Sequence, residues 1–196
     1  MTEEKKNPPE RVKEDVVTYE TYAAMPDDGN RYEVVNGTLE LMPGPNAAHQ
    51  SVGGELFHLM KLMCRSDYLV FVAPFDVILS PVDVRQPDIM LVHRSRAGIV
   101  TMRGIEGAPD LVVEVMSPGS RKRDKIGKAE TYAKYGVPEY WIIDPESVTL
   151  ERYVLHGERF VLADFFEEND QVVSDKVPCA LFRVRDLFSD MPPDLS

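Results

Sequence analysis

The stretch Val84–Ser120, VRQPDIMLVHRSRAGIVTMRGIEGAPDLVVEVMSPGS, decides how this chain is read. It contains Pro-Asp twice, at Pro87-Asp88 and Pro109-Asp110, and each pair opens an apolar run of strand character. The second run also holds Glu114, set among five apolar residues. A carboxylate in a buried strand is costly unless it is paired or binds a cation. Asp110 and Glu114 lie four apart on one strand, so they share a face yet sit roughly 13 Å from each other. Oxygen ligands of one Mg²⁺ lie about 2.0–2.1 Å from it, so these two acids cannot hold the same ion. Asp110 therefore reads as a strand-entry or turn residue. Asp88 opens a different strand, and carboxylates on adjacent strands approach within about 5 Å. Asp88 and Glu114 can share one divalent cation. The plainer alternative pairs Glu114 with an arginine and leaves Asp88 capping a turn.

Outward from this stretch the pattern is α/β. A short helix near Thr18–Met25 ends at Pro26 and DDGN, and RYEVV-NG-TLELM follows. Its Asn36-Gly37 suits a two-residue type I′ hairpin. Asn46 is an N-cap for a helix through HQSVGGELFHLMKLMC, whose apolar stripe is Val52, Leu56, Leu59, Met60 and Met63. Strand-like runs cover 68–73, 75–79 and 88–93, a glycine-containing loop covers 94–108, and a strand covers 110–116. A helix from about Ser120 to Tyr135 ends at Gly136, and the strand Tyr140–Ile143 follows, with Tyr140 and Trp141 as core. Strand, helix and strand make a crossover unit with parallel neighbours. Thr149–Leu155 and Arg159–Leu162 read as a further hairpin. The expectation is a mixed central sheet flanked by helices. It occupies one domain over 16–190, between a disordered tail at 1–15 and a short tail at 191–196.

The composition narrows the function classes. No apolar run approaches the roughly 20 residues of a membrane span, and MTEEKKNPPE is not a signal peptide. Only Cys64 and Cys179 are present, which speaks against a disulfide scaffold or a cysteine zinc site, so a reducing cytoplasm is expected. His58, His93 and His156 have no zinc spacing. The net charge is −11, yet residues 1–30 hold eight acids against four bases and residues 161–196 eight against three. The middle is close to neutral. A small phosphate-facing patch is compatible with that; a broadly basic DNA-coating protein is not.

Such a patch has a candidate. Arg121, Lys122, Arg123, Lys125 and Lys128 cluster near a helix N-terminus, where the dipole favours anions rather than bases. A bound phosphate would supply the missing anion. The alternative is a helix whose charges face water.

An acid after Pro on one strand, a Glu on the next and then a crossover helix resemble the PD-(D/E)xK nuclease arrangement. PDLVVEVMSPGSRKRDKIGKAETYAKYGVPEYWIIDP is similar to the signature of the Uma2 family of endonucleases, and RYEVVNGTLELM, His49 and QPDIMLV match in the same order. The likeness covers roughly 18–188. It implies a restriction-endonuclease-like fold and hydrolysis of DNA phosphodiesters, with Mg²⁺ or Mn²⁺ on Asp88 and Glu114, helped by the Val115 carbonyl. It implies a catalytic Glu33 beside the pocket, completing the metal shell or holding a second ion, although strand alternation alone could turn that side chain outward. His49, Arg121, Arg123 and Lys125 are the expected substrate contacts, with capping or packing at the start of its helix as the other reading of His49. One position departs from the superfamily pattern: where a lysine belongs two residues after the acid, the chain has Met116. Helical projection puts Lys125 nearer the buried stripe and Lys128 on its flank. The resemblance favours Lys128 as the replacement, through the run Asp124, Lys128, Tyr132, with Lys125 in reserve. DNA is the expected partner, in a homodimer away from membranes. The rival class is a degenerate nuclease fold that only binds.

Overall fold

The computed structural model describes residues 16–117 and 127–191. Helix α1 (Tyr19–Ala23), capped by Thr18, leads into the hairpin of β1 (Arg31–Val35) and β2 (Thr38–Met42). Asn36 and Gly37 take φ of 49° and 79°, as a type I′ turn requires. Asn46 caps α2 (Ala47–Cys64) by accepting from the His49 N–H at 2.8 Å. Next come β3 (Tyr68–Val72), β4 (Val77–Ser80), β5 (Asp83–Arg85) and β6 (Ile89–His93). The strand expected at 75–79 thus starts two residues late, and β5 is a strand that the sequence pattern did not reveal. The loop expected over 94–108 contains a 3₁₀ turn, Arg94–Ile99, and the short β7 (Ile105–Glu106).

The second Pro-Asp run forms β8 (Leu111–Val115). Of the helix expected from Ser120, residues 120–126 lie outside the described residues, and α3 runs Ala129–Lys134. Gly136 follows it with φ 79°. Then come β9 (Glu139–Asp144), the hairpin of β10 (Thr149–His156) and β11 (Arg159–Phe166), and the pair β12 (Gln171–Val172) and β13 (Phe182–Arg183).

Two larger sheets result. The six-stranded one has the order β11-β10-β9-β8-β6-β3, and within it β8 and β9 are the parallel pair that the crossover demands. The other runs β2-β1-β5-β4-β7. Along β8 the side chains alternate between two cores. Val113 and Val115 meet Val52, Leu56 and Met60 of α2, while Val112 and Met116 meet Tyr132 of α3, with Tyr140 and Ile142. Glu114 shares the parity of Val112 and so points to the α3 side. Met90 and Val92 of β6 join the five-stranded sheet through Val77 and Ile105.

One expectation is corrected here. Cys64 and Cys179 form a disulfide across 115 positions. The physical reason is the return of the C-terminal segment onto α2, where Val184 and Leu187 enter the same core as Met60. A count of two cysteines carries no information about that return. Among the described residues no helix is long and apolar enough to cross a membrane.

Candidate active site

The register of the two Pro-Asp strands builds the site. β6 and β8 pair antiparallel with Ile89 opposite Val113 and Met90 opposite Val112. One step further along the same register sets Asp88 opposite Glu114, on the face shared by Met90 and Val112. Directly opposed residues have Cβ atoms about 4.5–5.5 Å apart. Asp110 stands at the far end of the same strand pair.

Glu114 is met from the helix side. Lys128 and Tyr132 are four apart, one helical turn, so they share a face. The Tyr132 hydroxyl donates to Glu114 Oε1 at 2.8 Å, and Lys128 Nζ lies 2.8 Å from Oε2. Lys128 is 2% exposed, so it is buried rather than on the helix flank where the projection put it. The same amine lies 3.8 Å from Glu33 Oε1. Glu33 is itself fully buried and does not turn outward. It accepts from the Gln86 backbone N–H at 2.9 Å and faces Arg85 Nη1 at 3.4 Å, while Arg85 Nη2 donates to Thr131 Oγ1 at 2.8 Å. Two buried cations, Arg85 and Lys128, therefore bracket Glu33. Truncating one member of such a group leaves an uncompensated buried charge, which typically costs about 3–5 kcal/mol.

Asp88 is held differently. Its Oδ2 accepts from the Val115 N–H at 2.8 Å and from His49 Nε2 at 2.9 Å. Burial raises the Asp88 carboxyl, but the His49 hydrogen bond and charge, the Lys128 charge and the Val115 N–H outweigh it and hold the group below the usual carboxylate range. With Asp88 ionised, Nε2 carries the proton of that bond. His49 Nδ1 is buried without a hydrogen-bond partner among the described residues. The Tyr132 phenol is pushed well above its ordinary value, first by burial and then by the charges of Glu114 and Glu33, so it stays a neutral donor.

Asp88, Glu114, Lys128, Glu33 and His49 thus come together, whereas Arg121, Arg123 and Lys125 lie outside the described residues. Met116 is 4% exposed and packs with the apolar residues under α3, so it brings no charge to the carboxylates. Asp110 accepts from the His93 N–H at 2.7 Å and from Arg96 Nη1 at 2.7 Å, an anchor for the loop between the strands. The sequence reading gave no role to Arg85 or Gln86. The available signal was an arginine two residues before Pro87, at the entry to a strand that has few other charges.

Among the described residues no three His, Cys, Asp or Glu side chains cluster as a metal site. The donors at Asp88 and Glu114 are hard carboxylate oxygens. Mg²⁺ suits such a set, since it is commonly held by one or two carboxylates and keeps several waters.

A family model described as "Putative restriction endonuclease", Uma2, matches residues 19–182. Among solved structures, the chain is similar to a protein of Anabaena variabilis described as "a putative nuclease belonging to DUF820". The TM-score is 0.73 at 20% identity, covering 88% of this chain and 98% of that one. That likeness shows the mixed α/β, nuclease-like fold. No curated protein matches the sequence.

Proposed function

The chain belongs to the Uma2 family of restriction-endonuclease-type proteins, and from that premise we propose that it is a divalent-metal-dependent endonuclease that hydrolyses DNA phosphodiester bonds. One observation carries the reading: a buried lysine, Lys128, stands 2.8 Å from Glu114 although the strand position meant for a lysine holds Met116. An ammonium is expensive to bury, and a purely structural helix would leave it in water.

Asp88, Glu114 and the Val115 carbonyl would hold Mg²⁺ or Mn²⁺. When bound, that ion supplies Lewis-acid polarisation of the phosphate and a lowered pKa for the attacking water. The remaining work falls to the chain. Lys128 presents fixed positive charge to the phosphoryl oxygens and to the water as negative charge grows on them. Glu33 and Arg85 are positioning residues: Glu33 holds Lys128 from behind, and Arg85 in turn holds Glu33. His49 fixes the rotamer of Asp88, and Tyr132 fixes that of Glu114. Arg121, Arg123 and Lys125 are assigned to backbone phosphate on the strength of their charge and spacing, which makes affinity for duplex DNA fall with salt.

The experiment is plasmid cleavage in Mg²⁺ and Mn²⁺ by the parent and by Lys128→Met. The parent nicks or linearises DNA and the variant does not. A parent that binds DNA and never cuts it with either metal overturns the enzymatic reading in favour of a binding-only nuclease fold.

A further inference from the structure

The carboxylate pocket has a cation that none of these steps uses. Arg31 opens β1 two residues before Glu33, so the two side chains share a strand face and lie about 7 Å apart along it. Glu33 ends in the buried group around Lys128, and Arg31 lines the same pocket as Asp88, Glu114 and Lys128. Arg31 is half-buried. Among the described residues it enters no ion pair, and its one side-chain hydrogen bond runs from Nε to Gln86 Oε1 at 3.1 Å.

That partner is neutral and is itself held. Gln86 Nε2 donates to Asp76 Oδ1 at 2.8 Å and to the Tyr22 hydroxyl at 3.2 Å. Arginine only donates, so the amide oxygen must be the atom that faces it. The guanidinium is therefore oriented by a fixed amide rather than neutralised by an acid. With Nε–H taken, the Nη1 and Nη2 end of the fork has no protein acceptor. The buried side-chain nitrogens that lack a partner among the described residues are His49 Nδ1 and Arg85 Nε, so the Arg31 Nη groups reach solvent.

A half-buried guanidinium near two carboxylates is drawn to pair with one, because attraction grows as water is excluded. Here the carboxylates have other partners: Asp88 meets His49 and the Val115 N–H, and Glu114 meets Lys128 and Tyr132. The Arg31 fork is left for an oxyanion from outside. Phosphate matches it, since the two parallel N–H groups of an arginine end bind two oxygens of one phosphate. The pocket is about 40 Å³, space for about three water-sized oxygens.

We propose that Arg31 binds two oxygens of a DNA backbone phosphate at this pocket, with Gln86 as the residue that positions it. The inference rests on the nuclease reading above.

The test reads binding of a labelled duplex by anisotropy across a KCl series, with EDTA present to prevent cleavage. Loss of one phosphate contact lowers the slope of log K against log salt by about 0.9, a change that a merely structural residue does not produce. Arg31→Ala shows that drop and binds at least about ten-fold more weakly, the weak end of what a hydrogen bond to a charged group is worth. Arg31→Lys keeps the slope and recovers part of the affinity, because it retains the charge and loses the fork. Gln86→Leu also keeps the slope and binds more weakly, because the charge remains and its orientation is lost. Arg65→Ala, which removes an exposed cation at the far end of α2, binds like the parent. In Mg²⁺, a lowered kcat in Arg31→Ala identifies the reacting phosphate as the one bound, and a raised KM alone identifies its neighbour. Parental slope and affinity in Arg31→Ala, or an equal change of slope in Arg65→Ala, overturns the assignment and leaves the nuclease reading intact. A parent that binds no duplex DNA removes both.

Discussion

The two Pro-Asp pairs are identical as dipeptides, and both open strands of the same sheet, yet they end in different environments. β6 and β8 are antiparallel neighbours, so Asp88 and Asp110 fall at opposite ends of one ladder. Asp88 comes out opposite Glu114, with His49 on its Oδ2 and Lys128 close by. Asp110 comes out under the 3₁₀ turn, where Arg96 and the His93 N–H take its oxygens. The first end gathers buried charge from β1, β5, β8 and the start of α3; the second pins a loop. Chemistry follows from which end of the ladder a carboxylate occupies, and the local dipeptide does not specify that.

The largest expected contrast is in cleavage. Asp88→Ala or Glu114→Ala lowers Mg²⁺-dependent cleavage more than about 100-fold, since even outer partners of metal ligands are worth roughly 10–100-fold. Asp110→Ala leaves cleavage near the parent and instead costs about 0.5–1.5 kcal/mol of stability in urea unfolding, the net worth of a hydrogen bond between partly exposed groups. Equal cleavage losses in Asp88→Ala and Asp110→Ala break the comparison.

The next contrast separates charge from fold. Lys128→Ala leaves Glu114 and Glu33 short of a buried cation and should lower unfolding free energy by about 3–5 kcal/mol. Lys128→Met keeps the volume and is likewise inactive. Arg85→Met, behind Glu33, should lower kcat with little change in KM, as a group acting through Lys128 must. An Arg85→Met enzyme with parental kcat means that Lys128 holds its place without that bracket.

Away from the site, Cys64→Ala should cost about 2–4 kcal/mol, the usual worth of a bridge that closes a long loop. Mass spectrometry without reductant reads the bridge directly, and a mass two hydrogen atoms heavier means free thiols.

The smallest effect is in pH. The Tyr132 phenol is held protonated by burial and by nearby carboxylates. A group whose folded pKa is raised contributes stability fully below its unfolded value and loses it as pH climbs through the folded one. Stability of the parent therefore declines above about pH 10, and Tyr132→Phe flattens that decline. Tyr22, pushed up to about 12 mainly by burial, contributes a remaining slope in both proteins.

How much of this was legible beforehand differs residue by residue. The hairpin was readable because Asn36-Gly37 is local turn chemistry, and α2 because its cap and stripe are both local. The β8–α3–β9 crossover followed from the spacing of strand, helix and strand. Asp88 with Glu114 followed from distance along one strand against distance between two. Lys128 came from the resemblance, while helical projection pointed to Lys125, because a helical wheel knows nothing of a carboxylate waiting on the neighbouring strand. Glu33 was ambiguous for the same reason: alternation gives two faces but not what covers them. Arg85, the Cys64–Cys179 bridge and the short β5 depend on contacts between segments far apart in the chain, and no local pattern encodes those.

The most direct test of the central claim, that Asp88 rather than Asp110 partners Glu114 in holding a divalent cation, is calorimetric titration with Mn²⁺ of three proteins: the parent, Asp88→Asn and Asp110→Asn. Both substitutions keep shape and remove one charge. The parent and Asp110→Asn should bind Mn²⁺ alike, and Asp88→Asn should show no heat of binding. Loss of binding in Asp110→Asn, or undiminished binding in Asp88→Asn, contradicts the claim.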